Sequence, residues 1–235
     1  ALGSTLEGRL AEHVGSEVRL GSVHLNGLRG IVLEDMSVSI QTDTGPSAQI
    51  DAPRVAVFVS LFELLYGRLR VERIALDDTR VVVERPEDAP WYDAEGFDLR
   101  DIFDYPDSHG FRLTGRRCAI EIRNIVGGTR AEIENIGFDV AKLAGAKDLT
   151  ANAEGYLGGD RAKAFRMRLS MAAFDDFELT AEHKNLSADD VNLILPSPHH
   201  FVSAGVVHPS VRVSARPGQD LFVSVESPYE DLVLR

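Results

Sequence analysis

The chain has 235 residues, a formal net charge of −12 and a pI near 5.0, a balance that excludes nucleic acid or an anionic membrane held by bulk attraction. Hydrophobic residues at 44% and charged residues at 26% exclude global disorder and fit one large or two ordinary domains. The single cysteine, Cys118, excludes an intramolecular disulfide, and no run reaches the roughly 18 apolar residues of a membrane span.

Leu2, Leu6, Leu10 and Val14 recur every four residues, the spacing of a helical lead-in over residues 1–17. Gly15 then opens a strand pair. Val18 and Leu20 precede a slip at Gly21-Ser22, Val23 and Leu25 follow it, and the change of parity predicts a β-bulge or a bend. Ile31, Leu33, Met36, Val38 and Ile40 continue a sheet across Asn26-Gly27 and the Glu34-Asp35 step.

Val55, Val57 and Val59 alternate with Arg54, Ala56 and Phe58 as a strand, and the period changes at Ser60. Ser60 and Glu63 are spaced as a capping box, and Gly67 ends the short helix that they start. Leu69 and Val71, set against Arg68, Arg70 and Glu72, form the next strand. Asp77-Asp78-Thr79 is expected to turn the chain before a third strand, Val81 to Val83, which Pro86 stops.

Strand, short helix ending Leu64-Leu65-Tyr66-Gly67, basic strand, aspartate turn and valine strand: this order resembles the N-terminal region of the AsmA family of bacterial envelope proteins. The string from Glu17 to Ile40 looks like that family's first strands. Gly96-Phe97-Asp98-Leu99 is similar to its glycine, aromatic, Asn/Asp, Leu motif, with Phe97 where tryptophan is usual and Asp98 where asparagine is usual. In proteins of this kind a single inner-membrane helix precedes the lead-in, so the resemblance implies such an anchor upstream of Ala1 and a periplasmic location.

Residues 86–110 read as an acidic connector, with six aspartates (Asp88, Asp93, Asp98, Asp101, Asp104, Asp107) plus Glu87 and Glu95. Their spacing is too irregular for a calcium loop. From Phe111 onward the pattern alternates strictly. Cys118, Ile120 and Ile122 oppose Glu121 and Arg123. Phe165, Met167, Leu169 and Met171 oppose Arg166 and Arg168, while Phe177 and Leu179 oppose Glu178 and Thr180. Val211 and Val213 oppose Arg212, and Val223 and Val225 oppose Phe222 and Ser224. Such alternation predicts antiparallel strands with one dry face and one in water. Ser187 caps a short helix with Asp189 and Asp190 in its first turn, and the element from His183 to Leu195 also resembles one that recurs in the family.

Two or three short helices cannot cover the apolar faces of ten or more strands, so the sheet either folds onto a second sheet or curls into a trough. The resemblance favours the second. The expected fold is mainly β, a long curled antiparallel sheet over residues 18–235. The expected groove lining is Val81, Val83, Leu113, Cys118, Ile120, Ile122, Phe138, Val140, Phe165, Met167, Leu169, Met171, Phe177, Leu179, Val211, Val213, Val223 and Val225.

What the resemblance implies is passive, non-catalytic transfer of phospholipid between the inner and outer membranes, with no cofactor and no nucleic acid. The alternative is a β-rich interaction module that assists outer-membrane protein assembly. No phosphate loop, nucleophile elbow or HExxH occurs. His199, His200 and His208 sit among Pro196, Pro198 and Pro209 without partner ligands, so no metal is expected. Arg68, Arg70, Arg73, Arg80 and Arg85 read as a solvated strand face, with contact to lipid phosphates or a membrane surface as the other reading.

Overall fold

The computed structural model describes residues 17–27, 30–40, 47–60, 66, 70–85, 110–124, 130–146, 148–173, 175–194 and 202–234. In chain order the elements are β1 (Glu17–Arg19), β2 (Ser22–Asn26), β3 (Gly30–Ile40), β4 (Ser47–Val59), β5 (Val71–Asp77) and β6 (Arg80–Arg85). The longer strands β7 (Phe111–Asn124), β8 (Arg130–Lys142), β9 (Leu149–Leu157), β10 (Ala164–Ala173) and β11 (Asp176–His183) follow. The chain ends with β12 (Leu186–Ser187), α1 (Ala188–Ile194), β13 (Val202–Val207), β14 (Ser210–Ala215), β15 (Phe222–Glu226) and β16 (Tyr229–Leu234). The lead-in over 1–17, save Glu17 itself, and the segments 61–65 and 86–109 lie outside the described residues, as do His199 and His200.

The fold is mainly β. Thirteen strands form one sheet in the order β1-β3-β4-β5-β7-β8-β9-β10-β11-β14-β15, with β2 also on β3 and with β6 between β4 and β7. The remaining three strands form a small sheet, β12-β13-β16. The chain leaves the large sheet after β11, forms β12, α1 and β13, returns for β14 and β15, and completes the small sheet with β16. Ser187 and Asp190 start α1 reciprocally: Ser187 Oγ accepts from the Asp190 amide at 3.3 Å, and the Asp190 carboxylate accepts from the Ser187 amide at 2.9 Å.

Two expectations need correction. Asp77-Asp78-Thr79 does not reverse the chain. β5 and β6 run in line, both antiparallel to β4, because the thirteen-residue β4 is long enough to pair with each in turn. Nor is the sheet wholly antiparallel: β7 runs parallel to both β5 and β6. β7 therefore starts beside β5 and runs on beside β6.

The kink between β5 and β6 belongs to a transverse crease. Asp35 in β3, Asp78 between β5 and β6, Arg117 in β7 and Asn135 in β8 all have φ between 52° and 55°. An L-residue adopts this left-handed conformation at a steric cost that Asp and Asn bear best. At Asp35 and Asp78 the pairing keeps one register on both sides, so each bends its strand without a bulge. Register shifts occur between Gly115 and Ile120 on β7 and between Glu134 and Gly137 on β8. The register aligns them: Asp35 faces the break between β1 and β2 on one side and Pro53 of β4 on the other. At that break Gly21 donates to the Glu34 carbonyl at 3.1 Å, and a Cβ on it would stand 2.8 Å from Asp35 Cβ. Of the two outcomes expected at Gly21-Ser22, a bulge or a bend, the structure has the bend: β1 and β2 pair with β3 in one continuous register. Arg117 is the exception to the Asp/Asn rule, and its guanidinium holds Asp78 across the crease through two bonds of 2.6 and 2.7 Å.

The bend closes toward the apolar face. Leu33, Ala52 and Val55, which flank the crease on that face, form the buried cluster, with Leu20, Val23, Met36 and Leu76 packed around it. Cys118 and Ile136 are buried where the same crease crosses β7 and β8. On the outer face Asp35, Pro53, Asp78 and Arg117 are exposed.

Candidate functional site

An apolar face built from registered rows. Because directly opposed residues share a face, the pairing register traces rows across the sheet. One row runs Val23, Leu33, Val55, Leu76, Gly115, Phe138, Ala153, Met167, Ala181, Val211, Val225. The next runs Leu25, Ile31, Val57, Ile74, Leu113, Val140, Ala151, Leu169, Leu179, Val213, Val223. No polar side chain interrupts either. Beyond the crease a shorter row, Val18, Val38, Ile50, Val81, Ile120, Ile133, Leu157, extends the same face as far as β9.

Every residue expected to line a groove lies on this face. Phe165 and Met171 flank the two long rows on β10, with Phe177 opposite Met171. Val83 and Ile122 are partners one step past Val81 and Ile120. Of the expected lining residues only Cys118 and Met171 are buried, while Val223 and Val225 are 54% and 64% exposed. The rest keep part of their surface in water.

The N-terminal contribution, from Val23 to Leu76, was absent from the expected lining although the alternation at Val55, Val57 and Val59 had marked a strand there. Phe138 covers Gly115, where an added Cβ would stand 2.0 Å from the ring. The Cys118 thiol is pushed up by burial, away from the reactive thiolate. His183, which opposes Phe165 on this face, is pushed down by burial and so favours its neutral form. Lys142 is also buried, at the end of the face beside the Phe111–Leu149 step.

The opposite face is charged and stitched by ion pairs. Glu121 was expected in water, but its side chain is fully buried. Arg80 Nη2 donates to it at 2.6 Å, Arg123 Nε at 2.7 Å, and Arg130 Nε lies at 2.7 Å. Arg123, then Arg80, hold its carboxyl down to about 2. Glu132, the cross-strand neighbour of Glu121, accepts from Arg80 and Arg130 at 3.0 and 2.8 Å. The cluster resolves the arginine question for Arg80, which is committed to carboxylates. Arg73 instead lies 5.6 Å over the Phe58 ring. Arg112 forks onto Asp139 and lowers its pKa. A cleft of about 600 Å³ crosses β7 to β10 on this face, with Asp139, Asn152, Glu154, Arg166 and Arg168 among its lining.

Among the described residues no group of three or more His, Cys, Asp or Glu side chains is placed to hold a metal ion. No described helix is long and apolar enough to cross a membrane. His208 accepts from the Asn185 amide at 3.1 Å. No protein-family model matches the chain, and no curated protein matches it.

Proposed function

We propose that the chain binds the acyl chains of a phospholipid along its apolar face and lets them move across the sheet without a chemical step. The observation that carries this reading is the pair of unbroken apolar rows crossing every strand position from β2 to β15. Eleven positions separated by ten steps of about 4.8 Å span about 48 Å. Each methylene withdrawn from a bilayer into water costs about 0.8 kcal/mol. A face of Val, Ile, Leu, Phe and Met replaces bilayer contacts one by one, and the thioethers of Met167 and Met171 adapt to ligand shape. The motif resemblance to the AsmA family supports a reading in which this transfer runs between the inner and outer membranes of a bacterial envelope, by a periplasmic chain tethered to the inner membrane.

The test is native mass spectrometry with lipid extraction on protein purified without detergent. Phospholipid is expected to accompany the wild type and to be lost from Leu169→Asp, which places a carboxylate in the second row on a part-exposed strand. A folded, lipid-free protein that also refuses added fluorescent phospholipid would overturn the proposal. A second reading, a β-rich module that assists outer-membrane protein assembly, is supported by β15, which among the described residues pairs only with β14.

A further inference from the structure

We propose that the joint between the two sheets is an acid-sensitive hinge, in which protonation of His183 and His208 releases the small sheet and α1 while the large sheet stays folded. The chain crosses between the sheets three times, at Lys184-Asn185 after β11, at His208-Pro209 after β13 and at Ser227-Pro228 after β15. His208 ties the three crossings together. Its amide donates to the Pro228 carbonyl at 2.9 Å, its ring Nδ1 accepts from the Asn185 amide at 3.1 Å, and the carbonyl of Pro209 beside it accepts from the His183 amide at 2.9 Å. Asn185, held in the left-handed conformation at φ 54°, also donates through its side chain to the Ala162 carbonyl at 2.7 Å. α1 adds a latch to the large sheet: Lys163 Nζ, in the turn between β9 and β10, lies 2.6 Å from the Asp190 carboxylate.

Both rings must be neutral for this arrangement to hold. At His208 the bond from Asn185 needs a bare Nδ1, so the ring carries its proton on Nε2, 3.9 Å from the Glu230 carboxylate. A second proton has only Nδ1 to go to, where it meets the Asn185 N–H and ends the bond. Glu230 is 77% exposed and at that distance returns little to the charged ring. At His183 the tautomer is the reverse: Nδ1 donates to the Lys184 carbonyl at 3.0 Å, and acid adds the proton at Nε2. Burial pushes the pKa of this half-buried ring down, and the charges acting on it, Asp190 on α1 and Lys163, already neutralise each other. Glu182 and Glu226, on either side of Ser210 in the register, and Lys184 are the other charged groups of the joint. Because the folded pKa of His183 lies below its ordinary 6.5, the joint is fully stable above pH 6.5 and loses that stability as pH falls below it. The carboxyls of Glu121, Asp78 and Asp139 are held below their ordinary 4.5 and 3.8, so the crease of the large sheet stays ionised in this window.

Hydrogen–deuterium exchange of the 235-residue chain at pH 7.5 and pH 5, read by mass spectrometry and corrected for the intrinsic pH dependence of exchange, tests the hinge. Protection of β12, α1 and β13 is expected to fall roughly tenfold at pH 5, with β8 to β10 unchanged. His208→Asn places an amide oxygen, an acceptor that does not titrate, where Nδ1 stood. Combined with His183→Phe, it is expected to keep the joint protected at pH 5. Equal protection of the joint at the two pH values in the wild type overturns the proposal. So does a loss shared equally by β8 to β10, which is ordinary acid unfolding, or a pH response that persists in the double variant. Where the double variant is unprotected already at pH 7.5, His208→Asn alone decides, and a pH response as large as that of the wild type overturns the hinge.

Discussion

The two halves of the large sheet share one alternating pattern and bury it differently. From β1 to β8 the strands carry left-handed residues or breaks in register with one another, and the apolar face folds inward until Leu33, Ala52 and Val55 are 7%, 1% and 4% exposed. From β10 to β15 no described residue within a strand of the large sheet has a positive φ; Asn185 and Gly218 lie between strands, and Gly205 lies in β13 of the small sheet. There the same face stays open. Alternation thus sets which side chains share a face, while the aligned left-handed residues set whether that face becomes a core or a surface.

The most damaging way to break the comparison lies on the outer face of the creased half. Glu121→Ala leaves Arg80, Arg123 and Arg130 converging without their shared carboxylate. It is expected to cost about 3 kcal/mol in urea unfolding, since removing one partner strands the charges that remain. A loss no larger than that of an exposed surface pair would show the cluster to be incidental.

A matched pair of truncations sharpens the contrast directly. Leu33→Ala in the creased half should cost about 3 kcal/mol, and Leu169→Ala in the open half about 1 kcal/mol, because a part-exposed side chain loses only part of its transfer energy. Equal losses would mean that both halves are packed alike. At the boundary, Gly115→Ala drives a methyl into the Phe138 ring and should cost about 1–3 kcal/mol, relieved in the double variant Gly115→Ala/Phe138→Leu.

Acid provides a graded version of the first test. The folded pKa of Glu121 lies below its ordinary 4.5, at about 2, so its contribution is complete above pH 4.5 and is lost as pH falls toward 2. Asp78 and Asp139 are also held down, each first by a hydrogen bond from its arginine, Arg117 and Arg112, and titrate with the same sign. The slope of stability against pH in this window is expected to flatten in Glu121→Gln. The smallest effect is at the crease itself: Asp35→Gly should stay within about 0.5 kcal/mol of wild type, whereas Asp35→Val should cost about 1–2 kcal/mol, because a β-branched residue resists the left-handed backbone.

Much of this was legible in the chain alone. Alternation at Val55–Val59, Cys118–Ile122, Phe165–Met171 and Val211–Val213 marks strands and assigns each residue to a face, because the period of two is a local property of extended backbone. The parity slip at Gly21 marks a bend for the same reason, and Ser187 with Asp190 marks a helix start. These readings need only a few consecutive residues.

What tertiary structure alone decided is everything that depends on which strand lies beside which. Asp77-Asp78-Thr79 reads locally as a turn, and only the length of β4 on one side and the parallel β7 on the other make it a kink in a continued line. Glu121 reads as a solvated residue opposite Ile120 and Ile122. It is buried because Arg80, 41 residues earlier, and Arg130, on the following strand, arrive from the two flanking strands. The crease is likewise invisible in any one strand, since a single Asp or Asn at φ near 52° bends one chain segment and only their alignment bends the sheet. Local sequence sets conformation through short-range sterics and period. Register couples residues far apart in the chain, and it is register that turned one alternating pattern into a core at one end and an open apolar face at the other.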